Sequence, residues 1–138
     1  MTAKEYLSRA YNIDKRIEAN YEEIQRLRAI AERATSTYSA VRVSGTDRRS
    51  KLEFAIERID ELERKILDDT NDLVTVRRDI RDAINHIAAP EQRQLLQLRY
   101  LNGKRWEEIA TTMNYSLRRV HSIHSKALQN VAYIISRT

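Results

Sequence analysis

Cysteine is absent from this chain, so neither a disulfide frame nor a thiolate metal site can be built from it. Glycine occurs twice and proline once in 138 residues, which leaves little turn punctuation and makes long helices the natural reading. Long apolar runs are missing too. The longest, Val131 to Ile135, falls far below the roughly 20 residues that a helix needs to span a bilayer. Thr2-Ala3-Lys4-Glu5 holds no apolar signal core, so a soluble, cytoplasmic protein is expected. Catalytic signatures are equally scarce. There is no nucleophile elbow, no glycine-rich phosphate cradle and no histidine-carboxylate metal motif, which argues against an enzyme and against a cofactor. His121 and His124 lie three apart, but no carboxylate or cysteine of their helix completes a metal set and His86 is far away, so DNA-backbone or packing roles are expected instead.

What the chain does have is charge, 33% of its residues, unevenly spread. Residues 1–50 hold ten basic and seven acidic side chains, residues 51–89 seven and ten, and residues 90–138 eight and three, giving +3, −3 and +5. No acidic residue follows Glu108. The excess at the end suits an anionic polymer as partner.

The first 89 residues read as two long helices. Thr2 and Glu5 fit a capping box, after which Tyr6, Ala10, Ile13, Ile17, Asn20, Ile24, Leu27, Ala31 and Ala34 step by four and three in a heptad seam. Asn20 is either a register-setting polar residue in that seam or an exposed one. Ser50 and Glu53 form a second candidate box, followed by Leu52, Ile56, Ile59, Leu62, Ile66, Leu73, Val76, Ile80, Ile84 and Ile87 at helical spacing. The stretch between, Thr35 to Ser50, is rich in Ser and Thr, contains Gly45 and ends in Arg48-Arg49, so it reads as a loop or hinge, with the two arginines solvated or adding a phosphate contact. Each helix, about 35 residues, would reach roughly 50 Å. The two can close on each other as an antiparallel hairpin, or pair with a second chain as a coiled-coil-like homodimer.

The run from Pro90 to Val131 carries the functional signal. Pro90 suits a first helical position and Gly103 a left-handed stop, which bound one short helix, Glu91 to Leu101. A second helix starts near Trp106, with Glu107 and Glu108 in its first turn, and runs through Met113. Asn114-Tyr115-Ser116 breaks it, with Ser116 placed to cap the next helix. From Leu117 on, Val120, Ile123, Ala127, Val131 and Ile134 share one face, while Arg118, His121, Ser122, Ser125 and Gln129 occupy the opposite one, flanked by Arg119 and Lys126. Such a helix can bury its apolar side and offer the other to phosphates and base edges. Trp106 and Tyr100 fall at helical positions beside Ile109 and Leu98, as domain core would.

Leu98-Arg99-Tyr100, Gly103, Trp106-Glu107-Glu108-Ile109-Ala110, Ser116-Leu117-Arg118-Arg119-Val120, Ile123 and Lys126-Ala127-Leu128 together closely resemble the C-terminal region 4 of sigma-70 type factors, over about 45 residues in one register. The resemblance implies a helix-turn-helix domain in residues 90–138 whose third helix enters the major groove of double-stranded DNA, with RNA polymerase as a second partner. Its implied DNA-binding residues are Leu117, Arg118, Arg119, His121 and Ser122. The periodicity adds Ser125 and Lys126 on the same side. Arg118 stands where the family usually has an acidic residue, and His121-Ser122 where an Arg-Gln pair is usual, so the family's target sequence does not carry over. Arg105 replaces a Thr-like cap.

The expected architecture is all-α: a long N-terminal helical hairpin, residues 1–89, followed by the helix-turn-helix domain. Nothing before Pro90 resembles the aromatic-rich region with which sigma factors melt promoters. In size and helical N-terminus the chain resembles small phage or prophage late regulators of the ArpU and RinA type, which implies a sequence-specific transcriptional regulator. The competing readings are a phage DNA-packaging component like a small terminase subunit, and a coiled-coil interaction protein whose basic domain binds another protein.

Overall fold

The computed structural model describes the backbone of residues 1–40 and 46–137 and the side chains of residues 1–35 and 50–137. Among these residues there is no strand. Two long helices, α1 (Ala3–Ala40) and α2 (Thr46–Asn85), precede α3 (Pro90–Leu96), a π-helical turn (Gln97–Leu101), α4 (Trp106–Met113) and α5 (Leu117–Ser136). The capping box at the start of α1 forms: the Thr2 N–H donates to the Glu5 carboxylate and the Glu5 N–H to the Thr2 hydroxyl, each at 3.1 Å.

The chain packs as two compact units, residues 14–71 and residues 1–13 with 72–138. In the first, α1 and α2 run antiparallel around Ile24, Leu27, Ala55 and Leu62, with Ala31, Ile59 and Ile66 packed against them. The direction is evident from two cross-helix ion pairs, Arg16 to Asp69 at 3.1 Å and Arg28 to Glu63 at 3.2 Å, whose numbers rise on one helix as they fall on the other. The apolar stripe of α2 needs one correction. Ile56 is 56% exposed and Ala55 is buried. A seam stepping by three and four passes through residues 52, 55, 59, 62, 66, 69, 73, 76 and 80, so it selects the small Ala55 and admits Asp69, which pairs across to Arg16.

The expected loop from Thr35 to Ser50 is also corrected. Helix α1 continues to Ala40 and α2 begins at Thr46, so Ser50 and Glu53 lie inside a helix and do not start one. Ser and Thr need not interrupt a helix when their hydroxyls bond back to the preceding turn, as Thr35 does to the Ala31 carbonyl at 2.9 Å. The side chains of Arg48 and Arg49 lie outside the described residues.

In the second unit the beginning of α1 and the end of α2 share one core with the C-terminal helices. Ala3, Leu7 and Ala10 are buried with Ile80, Ile84, Ile87, Leu95, Leu96, Leu101, Ile109, Ala110, Met113, Val120, Ile123, Ala127 and Val131. Polar ties reinforce it. Arg77 donates to the Leu101 carbonyl at 3.0 Å, and Arg93 to the carbonyls of Ile87 at 2.6 Å and Ala88 at 2.9 Å. The compact unit that holds the C-terminal helices thus also includes residues 1–13 and 72–89. The single helix expected from Glu91 to Leu101 widens after Leu96, where the Asn102 N–H reaches back five residues to the Gln97 carbonyl. Gly103 then turns the chain with φ of +67°, a conformation open to glycine at little cost.

Candidate nucleic-acid interface

The turn between α4 and α5 is built as its residues suggest. Asn114 ends α4 in the left-handed region with φ 59° and ψ 44°, and the Tyr115 N–H closes on the Ala110 carbonyl at 3.0 Å. Ser116 is extended, and its hydroxyl accepts from the Arg119 N–H at 3.1 Å, capping α5. Arg105, by contrast, gives α4 no side-chain cap. Its guanidinium instead donates to Glu108 at 2.7 Å, a hydrogen bond that lowers the Glu108 pKa, and the Lys104 ammonium stands 3.9 Å from the same carboxylate.

Helix α5 has two distinct sides. Val120, Ile123, Ala127 and Val131 are buried in the core, with Ile134 packed against it. The seven residues assigned to DNA from the sequence, Leu117, Arg118, Arg119, His121, Ser122, Ser125 and Lys126, are all exposed. Their shared exposure follows from the period of the helix, since burying positions 120, 123, 124, 127 and 131 on one side turns these seven to the other.

The two histidines part company. His124 is buried, shares a 2.7 Å hydrogen bond with the Tyr100 hydroxyl and meets the Trp106 ring edge-on at 4.7 Å between centroids. Burial, aided by the charges of Lys4, His121 and Arg99, lowers its pKa to about 4, so it is neutral near pH 7. Burial likewise raises the Tyr100 pKa and keeps the phenol protonated. His121, one turn back, rests its exposed ring on Trp106 at 4.8 Å. Arg99 covers Trp106 at 4.5 Å. Trp106 and Tyr100 thus pack behind the exposed side of α5, and Trp106 supports the ring of His121. The sequence gives no sign of that support, because the two residues sit on different helices. No group of three or more His, Asp or Glu side chains able to hold a metal occurs among the described residues.

Which cations are left for a partner is also decided by geometry. Arg93 is spent on backbone carbonyls, Arg99 on the Lys104 carbonyl and Trp106, Lys104 and Arg105 on Glu108, and Arg137 on the Tyr133 hydroxyl. Arg118 and Lys126 make no ion pair or hydrogen bond among the described residues. Arg119 lies over the Tyr115 ring at 4.3 Å, which holds its charge beside the turn.

A capped helix following a left-handed turn, buried on one side and cationic on the other, defines the C-terminal segment as a DNA-binding helix-turn-helix domain. Residues 89–132 match the family model for sigma-70, region 4, and the domain is of that type. The match covers 44 residues, under a third of the chain, and begins at Ala89, the residue before α3. No curated protein and no solved structure matches the chain. No described helix is long and apolar enough to cross a membrane.

Proposed function

We propose that this chain is a sequence-specific transcriptional regulator that lays α5 in the major groove of double-stranded DNA. Arg118, His121, Ser122 and Ser125 face base edges, with Leu117 beside them, and Arg119 and Lys126 hold phosphates. The observation that carries this reading is the set of exposed side chains on one side of a capped helix, including two cations with no ion pair or hydrogen bond among the described residues. Within that reading it acts as a small regulator of the phage late type, beside RNA polymerase, the second partner that the region 4 resemblance implies. Ile24, Leu27 and Leu62 are already covered within the chain, so a homodimer would have to use other side chains.

Selection of bound sites from random DNA, followed by fluorescence anisotropy at several salt concentrations, tests the proposal. Arg118→Ala should cost about 1–3 kcal/mol on the selected site and relax preference at one base pair. Lys126→Ala should weaken selected and scrambled DNA alike and flatten the salt dependence by about 0.9 in log–log slope. Equal losses on both DNAs for Arg118→Ala would remove its base-reading role. Failure to bind any DNA at low salt would sink the whole reading, and a large closed ring by native mass spectrometry would favour the packaging alternative.

A further inference from the structure

The family match starts at residue 89 and carries nothing about α1. Yet the first turns of α1 belong to the same compact unit as α5, with Ala3, Leu7 and Ala10 in one buried cluster with Val120, Ile123, Ala127 and Val131. One flank of this stretch faces α2: the Tyr6 hydroxyl donates to the Asp79 carbonyl at 3.5 Å, and the Arg9 guanidinium lies 3.9 Å from the Asp79 carboxylate. At roughly 100° per residue, Lys4 falls on the other flank. It is exposed and joins no ion pair among the described residues. The neighbouring Glu5 carboxylate is engaged by the Thr2 N–H. The Lys4 charge is felt at His124 of α5, where it stands second to burial among the influences that disfavour protonation.

We propose that Lys4 is a phosphate-contacting residue of the DNA interface, so that the first turn of α1 adds a cation beside α5 and grips the backbone next to the bases that α5 reads. The inference rests on the reading of α5 given above. An ammonium on a flexible stem suits a phosphate as a point charge and carries no base-edge pattern.

The experiment uses the full chain with Lys4→Ala and Lys4→Arg, measured by anisotropy on a selected site and on scrambled DNA across a salt series. Lys4→Ala should weaken both DNAs by a similar several-fold factor and lower the log–log salt slope by about 0.9, while Lys4→Arg keeps the slope of the unmodified chain. Thermal melting should match in all three proteins, because the side chain is exposed. A Lys4→Ala slope equal to that of the unmodified chain overturns the inference and leaves the reading of α5 standing. Absence of DNA binding by the unmodified chain overturns that reading first. A loss confined to the selected site would make Lys4 a base reader and would also overturn the phosphate role.

Discussion

Two histidines three residues apart show how far a side chain's role depends on what is packed around it. His124 is enclosed by Tyr100 and Trp106, and its pKa is lowered to about 4 from the ordinary 6.5. The unfolded chain therefore takes up a proton near pH 6.5, whereas the native imidazole resists until about 4. Stability contributed by the neutral ring is present above pH 6.5 and is lost as pH falls toward 4, at no more than about 1.4 kcal/mol per pH unit for one proton. Urea unfolding at pH 7 and pH 5 should show the unmodified chain losing stability relative to His124→Phe, which cannot titrate. Parallel losses in both proteins would contradict the assignment. Helical spacing sets His124 with Val120, Ala127 and Val131 and His121 on the polar side, but the rings that enclose His124 come from elsewhere in the chain and leave no mark in that spacing. Arginines pose the same difficulty. Arg93 and Arg99 look as available as Arg118 until their carbonyl acceptors are seen, and a backbone acceptor leaves no mark in a sequence.

At the scale of the element, spacing explains both the successes and the misses. The two sides of α5 and the cap at Ser116 are legible because each depends on residues within a turn or two of one another. The seam of α2 is legible in outline but not at Ile56, because choosing apolar residues alone ignores that a strict three-four step passes through Ala55 and Asp69. Ile56→Lys should accordingly change stability by less than about 0.5 kcal/mol, as expected for an exposed site. Leu62→Ala, at a fully buried seam position, should cost about 2–5 kcal/mol. Chemical denaturation of the two variants gives the comparison, and similar costs would place the seam elsewhere. The π turn after Leu96 is less visible from sequence. Its trace is the five-residue step between the buried Leu96 and Leu101, which a turn closed by a five-residue hydrogen bond brings closer to one side.

The molecule as a whole is all-α, as its composition suggests, and its C-terminal helices share a core with parts of the two long ones. A region recognisable from residue 89 onward borrows Leu7, Ile80, Ile84 and Ile87 for its core. Burial of each is worth about 1.5–3 kcal/mol, so together they rival the 5–15 kcal/mol stability of a whole domain. A fragment of residues 90–138 should therefore melt broadly by circular dichroism and bind an apolar dye, where the full chain melts cooperatively. A fragment as cooperative as the full chain would show that these contacts are dispensable. The same shared core sets a timetable for biosynthesis. Leu7 leaves the ribosome long before Val131, and at about 5–20 residues per second the interval is roughly 6–25 s. During that wait the apolar start of α1 has none of its α5 neighbours to cover it. Residues 14–71, whose core partners are all in hand by residue 66, can close in the meantime. Completion of the DNA-binding unit is therefore a late event, reached only when α1 and α5 have both been made.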